Sequence, residues 1–343
     1  MHTASWRSLY DITKEDSGAL SVEDRKVFCS GICSVLMLLP TDDCHQAIAA
    51  LSEPVLLKIE NALKMLEPTK QDRNSSQSSQ PHFTALSEDV QILSTIIYSF
   101  HNHNFNCEIN EFDYSSVENN GNIQNPLRSL LQTSWPALSH IALTYSWNER
   151  IASSLFDLLR AAVSIYHNGA SPSNFLNELN KLATAILDKS SPEAHANTIV
   201  SLIDYVTSVT DAYGPLADKE QIVHESTASI PGTQFSADLE VSLYLAINAS
   251  KFLSSQTQAP DIISGIIKLC CVCMKSCPKT LLNLPVVPGE QGKDGQLLAR
   301  IIERSLVGVS EQEVDVARQS MLFLRDLVCL LFFHAIGPFS VFA

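Results

Sequence analysis

The sequence predicts an all-α fold, built as an α-α superhelix in which paired helices stack into a solenoid. Three observations predict it. Apolar residues recur at three- and four-residue steps along most of the 343 residues, the spacing of one helix face. Long alternating apolar and polar runs, the mark of half-buried strands, do not occur. Only 12 glycines and 15 prolines punctuate the chain, and its length exceeds one ordinary globular core.

Caps and prolines mark the expected elements in order. Ser21 to Leu39 reads as a helix with Glu23 and Asp24 in its first turn, stopped before Pro40. Thr41 or Asp42 caps the next, which ends at Leu51. Pro54 takes a first-turn position and "VLLKIENALKML" follows to Leu66. A polar, Ser/Gln-rich and mobile loop is expected near 67–86, with Ser87 capping "EDVQILSTIIYSF". A second mobile polar loop is expected over 101–125, and Pro126 opens the next helix. Further helices are expected over 148–167, 172–187, 192–211, 238–253, 260–274, 296–307 and 311–330, with a less regular piece around 215–230. Residues 1–330 thus form the solenoid, and 331–343 an apolar tail.

A weak period supports the stacking. Helices opening on Pro172 and Pro260 lie 88 residues apart, two units of 44. Helix pairs repeating every 40 to 47 residues are the signature of HEAT- and armadillo-type (HEAT/ARM-like) arrays. No pair buries its apolar stripe alone, and neighbours supply the core.

Charge and motifs narrow the function. A net charge of −14 argues against nucleic-acid binding through bulk charge. An acidic surface suits solubility and basic protein partners equally. Nine cysteines, an odd number lying mostly on apolar helical faces, fit a reducing compartment. Cys270, Cys271, Cys273 and Cys277 lack a second ligand pair elsewhere, so they read as core rather than zinc ligands. His101 and His103 read as solvated. No G-x-S-x-G elbow, Walker loop or G-x-G-x-x-G fingerprint occurs, so neither an enzyme nor a cofactor is expected. "MHTASWRSLYDITKED" carries no apolar secretory core. The apolar run from Leu327 includes His334, Gly337 and Pro338 and is shorter than the roughly 20 residues of a spanning helix, so no membrane partner is expected.

One helix carries a polar stripe. Arg150, Ser153, Ser154, Asp157, Arg160, Ser164 and His167 are spaced by one, three or four and fall on one side. Ile151, Leu155, Leu158, Leu159, Ala162 and Val163 take the other.

This stretch, "WPALSHIALTYSWNERIASSLFDLLRAAVSI", resembles the transportin-3/importin-13 branch of the importin-β (karyopherin-β) superfamily. The resemblance rests on Trp135, Pro136 and Leu138, then Arg150 and Ile151, then Leu159, Arg160, Ala162 and Val163. "LPTDDCHQAIAALSEP" resembles the branch's Leu-Pro turn and short helix. "SEQEVDVARQSMLFLRDLV" resembles its late-repeat helix, ending in Phe323, Leu324, Arg325, Asp326 and Leu327. The three lie in register and span roughly Ser21 to Val328; beyond it the match is lost and the tail reads as an altered end.

The resemblance implies a right-handed HEAT superhelix that carries protein cargo through nuclear pores, shuttling between cytoplasm and nucleus. Its partners would be Ran-GTP and nucleoporins. It also implies a middle-to-late segment lacking the N-terminal Ran-binding arch. In that branch an arginine row on the matching helix reads phosphorylated Arg-Ser-rich segments of splicing factors. The row is matched here at Arg150 and Arg160 and departs from the pattern at Ser154, Asp157 and Ser164. The residues expected on the cargo-binding inner face are Arg150, Arg160 and Asp157. Asp157 would repel phosphate and stands at a helical pairing distance from Arg160. The competing expectation is a HEAT scaffold that holds other subunits together without transport.

Overall fold

The computed structural model describes residues 21–39, 41–66, 76–106, 126–166, 172–190, 196–226, 234–250, 259–283 and 296–336. Among them the chain is all-α, of the stacked helical-repeat class, and contains no strand. Twelve helices are described: α1 (Val22–Leu36), α2 (Thr41–Leu66), α3 (Ser76–Asn106), α4 (Pro126–Tyr145), α5 (Glu149–Tyr166) and α6 (Pro172–Lys189). They continue with α7 (Ala196–Ser226), α8 (Gln234–Ala249), α9 (Pro260–Ser276), α10 (Pro278–Asn283), α11 (Gln296–Gly308) and α12 (Val314–Ile336).

Helix starts follow their caps. Ser21 Oγ accepts from Asp24 N at 3.1 Å while the Asp24 carboxylate accepts from Ser21 N at 3.3 Å, a reciprocal capping box. Asn148 Oδ1 accepts from the backbone N–H of Arg150 (3.1 Å) and Ile151 (3.4 Å), satisfying two donors that open α5. Pro260 stands at the first position of α9, where its missing N–H costs nothing.

Three prolines expected at helix starts or in loops lie inside helices instead: Pro54 in α2, Pro81 in α3 and Pro215 in α7. The separate helix ending at Leu51 is therefore a part of the 26-residue α2. Buried Leu51, Val55 and Ile59 flank Pro54, so packing carries the helix through a residue that removes one backbone bond. The polar loop expected near 67–86 is helical from Ser76 onward, and Ser87 lies mid-helix rather than at a cap. Of the loop expected over 101–125, residues 101–106 belong to α3, and 107–125 lie outside the described residues, as do 67–75. The irregular piece at 215–230 is helical through Ser226. Helix α12 runs to Ile336, so the start of the expected tail is helical and 337–343 lie outside the described residues.

Two compact units form. The first holds residues 1–172 and 185–193, the second 173–184 and 194–343. In the first unit α1, α3 and α5 lie side by side in one layer, and α2 packs on α4 in another. Cross-layer contacts join α2 to α3 and α4 to α5. Neighbours in the first layer run parallel: Arg25 pairs with Glu88, and Gln91 with Ser154, each pair 63 residues apart. In the second unit α7 and α9 are likewise parallel. Gly265 meets Ile203, Gly214 meets Ser276 and Cys277, and Lys279 N donates to Asp218 Oδ1, all 61 to 63 residues apart. Helix α8 packs on α7, and α12 packs on α9 and α11.

The spacing between parallel neighbours thus exceeds the expected 40 to 47 residues, because α3 and α7 have 31 residues each. The helices opening on Pro172 and Pro260 are not equivalent. Asn180 of α6 donates to Asp238 O (2.8 Å) and accepts from Ser242 Oγ (2.7 Å), both of α8, whereas α9 lies beside α7.

The repeat shows instead in the second layer of the first unit. Ser52 stands two residues before Pro54 in α2, and Ser134 two before Pro136 in α4. Ser52 Oγ donates to the carbonyls of Ile48 (2.8 Å) and Ala49 (3.3 Å); Ser134 Oγ donates to those of Leu130 (2.9 Å) and Leu131 (3.1 Å). Back-bonding serine and interior proline both favour a bend, so the two helices share one device at one place.

Close approach of α7 and α9 depends on Gly214. A Cβ there would stand 2.9 Å from Ser276 Cβ and 3.3 Å from Cys277 Cβ. Gly214→Ala should destabilise the second unit by about 1–2 kcal/mol, overpacking outweighing the helix-propensity gain. Gly31→Ala, which meets nothing within 4 Å, should stabilise the first unit by about 0.5–1 kcal/mol. Urea titrations of the two variants should therefore move in opposite directions.

Candidate functional site

The polar row on α5 meets α3. Helix α5 is buried over most of its circumference, including Ala152, Phe156 and Ala161 outside the expected apolar stripe. Along the row Arg150 is exposed, Ser153, Asp157, Arg160 and Ser164 are half-buried, and Ser154 is fully buried. His167 lies outside the described residues.

The matching row on α3 is Thr84, Ser87, Gln91, Ser94 and Tyr98, again spaced by three and four. Ser154 Oγ donates to Arg150 O at 2.6 Å and, its one hydrogen so used, accepts from Ser87 Oγ at 2.6 Å. Gln91 Nε2 donates to Ser154 Oγ at 3.3 Å, Ser87 Oγ reaches Arg150 O at 3.1 Å, and Ser94 Oγ donates to Asp157 O at 3.0 Å. Small hydroxyl residues let two parallel helices close while leaving no buried hydroxyl without a partner along this seam. Ser154 is therefore a tie between helices rather than part of a wet surface, as its place in the stripe implied.

Above the seam lies an open groove of about 410 Å³, lined from three successive helices of the layer. Lys26 comes from α1, Gln91, Thr95 and Tyr98 from α3, and Asp157 and Arg160 from α5. The Arg160 guanidinium lies 5.7 Å from the centroid of the exposed Tyr98 ring, within cation–π range. Lys26 Nζ donates to Glu23 at 2.8 Å. The groove therefore carries a cation from each outer helix, an aromatic face at its centre and one carboxylate beside Arg160.

Of the residues expected to bind cargo, Arg160 and Asp157 come together here. Arg150 does not line the groove: it lies ten residues earlier, roughly 15 Å along the helix, where its Nη1 donates to Thr84 Oγ1 at 3.3 Å. Lys26 and Tyr98 escape the sequence reading, being 134 and 62 residues from Arg160. The one signal that could find Tyr98 is the α3 row, which repeats the three- and four-residue spacing of the α5 stripe.

The cysteines of α9 and its C-cap, Cys270, Cys271, Cys273 and Cys277, are buried. Burial pushes the Cys271 thiol up to about 11 and Cys270 higher still. Cys273 is raised first by its hydrogen bond with Cys277 and then by burial. Thiols held in the neutral form are poor ligands and nucleophiles. Among the described residues no group of three or more His, Cys, Asp or Glu could hold a metal ion, and no helix is long and apolar enough to cross a membrane. The side chains of His101 and His103 lie outside the described residues.

No protein-family model matches this chain, and no curated protein is significantly similar to it.

Proposed function

We propose that this chain is a segment of a nuclear transport receptor of the importin-β type, which holds protein cargo such as Arg-Ser-rich splicing factors without catalysis. The carrying observation is the groove across α1, α3 and α5, a surface that exists only because successive helices stack side by side. A stacked array offers long surfaces to extended partners, and guanidinium groups suit carboxylate or phosphate acceptors. The three stretches that resemble the transportin-3/importin-13 branch support the same reading. In it the full-length receptor supplies the Ran-GTP and nucleoporin contacts, and the protein shuttles between cytoplasm and nucleus.

One observation favours a second reading, a helical-repeat scaffold without transport. Asp157 lies beside Arg160 in the groove, where its carboxylate opposes a phosphate.

A pull-down with an Arg-Ser-rich segment, phosphorylated and not, separates the two. Arg150→Glu combined with Arg160→Glu should lower capture of the phosphorylated segment at least about tenfold, as expected when charge-assisted contacts are lost, with helicity by circular dichroism unchanged. Undiminished capture, or none by the unaltered chain, would remove the cargo reading and leave the scaffold.

A further inference from the structure

Three sulfurs gather where α1 gives way to α2. Cys29, Cys33 and Met37 follow one another at four-residue steps on one face of α1. Met37 is the C-cap and keeps helical dihedrals (φ −67°, ψ −15°), and its N–H donates to Cys33 O at 3.1 Å. The helical register therefore holds through Met37 and sets it one turn from Cys33. Cys44, near the start of α2, turns its thiol to the same corner: its Sγ lies 4.0 Å from Met37 Sδ.

Cys33 is sealed from solvent, whereas Cys44 is 9% exposed and Met37 is half-buried, so the corner opens outward through those two. Burial raises the Cys33 thiol, and Cys29 and Cys44 each raise it further, which places both within electrostatic reach of it. Cys29 lies eight residues from Met37, roughly 12 Å along the helix, and stands outside the corner. The Met37 side chain has three rotatable bonds, so its sulfur can adapt to what the two thiols hold.

The donors and their spacing fit one class of ion. With metal–sulfur bonds of about 2.3 Å, a three-coordinate ion sets its sulfurs about 4 Å apart, the separation of Cys44 and Met37. Thiol and thioether donors together select soft ions such as Cu(I). Structural zinc sites take four donors from Cys, His and carboxylates. Among the described residues no His, Asp or Glu completes a group of three with Cys33 and Cys44 that could hold a metal.

We propose that Cys33, Cys44 and Met37 form a three-sulfur site for a soft monovalent ion of the Cu(I) class. Two thiolates and one thioether coordinate the ion, and the two thiol protons pass to solvent through the opening at Cys44. Cys273 and Cys277, at the end of α9, are by contrast both sealed from solvent.

The test is an anaerobic titration of the full chain, isotope-labelled at its methionine methyls, with Cu(I) delivered as a weak chelate. The five methionines give five methyl signals, and Met37→Leu assigns one of them while nearly conserving volume. The first equivalent of Cu(I) should shift the Met37 signal and leave that of Met274, adjacent in sequence to Cys273, in place. In competition with a chelator, Met37→Leu should weaken binding of that first equivalent at least about tenfold. Cys44→Ser should do the same with helicity unchanged, and Cys44→Ala replaces it if helicity falls. Zn(II) at the same concentration should leave the Met37 signal where it is. A Met37 signal that Cu(I) does not move, or a Met274 signal that moves first, would overturn the proposal. So would Cu(I) binding by Met37→Leu as tight as the parent's, or Zn(II) occupying the site equally well.

Discussion

Phe156→Ala should destabilise the first unit by about 3–5 kcal/mol, the range for truncating a fully buried phenylalanine. Phe156 is fully buried on α5, the helix that joins the two layers by packing on both α3 and α4. Its neighbours Ala152, Leu155 and Leu159 are buried too. They belong to a helix pinned through Ser154 and Asp157 O to α3, so the site has little freedom to collapse around a cavity. Of the three tryptophans, Trp135 and Trp147 fall within the first unit, and Trp6 is replaced by phenylalanine for this measurement. Tryptophan fluorescence therefore reports that unit, whereas circular dichroism sums both. In urea the fluorescence transition should move to lower denaturant by an amount equivalent to several kcal/mol. A loss under about 1 kcal/mol, within reach of ordinary surface substitutions, would mean that α5 is not the core helix described here.

Asp89→Asn should stabilise the same unit at neutral pH. Asp89 is buried on α3, and burial raises its carboxyl from the ordinary 3.8 to about 6, opposed by the nearby Lys58 and Arg25 charges and aided by Glu88. A group whose pKa is higher in the folded state favours folding while both states are protonated, below about pH 4. As pH rises the unfolded chain releases its proton first, and the contribution is lost until the folded group also ionises near pH 6. The loss at pH 7 is on the order of 3 kcal/mol. Asparagine keeps the shape and never ionises, so the variant should exceed the parent by about 1–3 kcal/mol at pH 7. The difference should shrink towards pH 4. Thermal unfolding at several pH values checks both parts. A variant less stable at pH 7 would show that Asp89 is stabilised by its cationic neighbours more than it is penalised by burial.

The fold class was legible because three- and four-residue spacing survives in nearly every segment. The starts at Ser21, Asn148 and Pro260 were legible because a cap acts locally. The interior prolines misled for the opposite reason: whether Pro54 ends a helix depends on burial of Leu51, Val55 and Ile59, which local sequence does not state. The Ser-x-Pro device of α2 and α4 stood in the sequence 82 residues apart, between neighbours too varied to draw notice.

The candidate site was half legible. Periodicity shows which residues share a face of α5, and it rightly grouped Asp157 with Arg160. It cannot show what that face meets, so Ser153 and Ser154 looked alike although only Ser154 is sealed against α3. Lys26 and Tyr98 reach the groove through the side-by-side order of α1, α3 and α5, a long-range property. The total charge of −14 gave no hint of the cations flanking that groove, because a sum does not record placement.

Parallel stacking of same-layer helices is the claim on which the groove rests. Paired spin labels test it most directly, in a chain with Cys107 and Cys329 replaced by serine. Thr84→Cys is labelled together with Arg150→Cys in one variant and with Arg160→Cys in another. Parallel α3 and α5 place position 84 beside 150 and roughly 15 Å further from 160 along the helix axis, so the first distance should be clearly the shorter. Equal distances, or a shorter one to position 160, would contradict the stacked array.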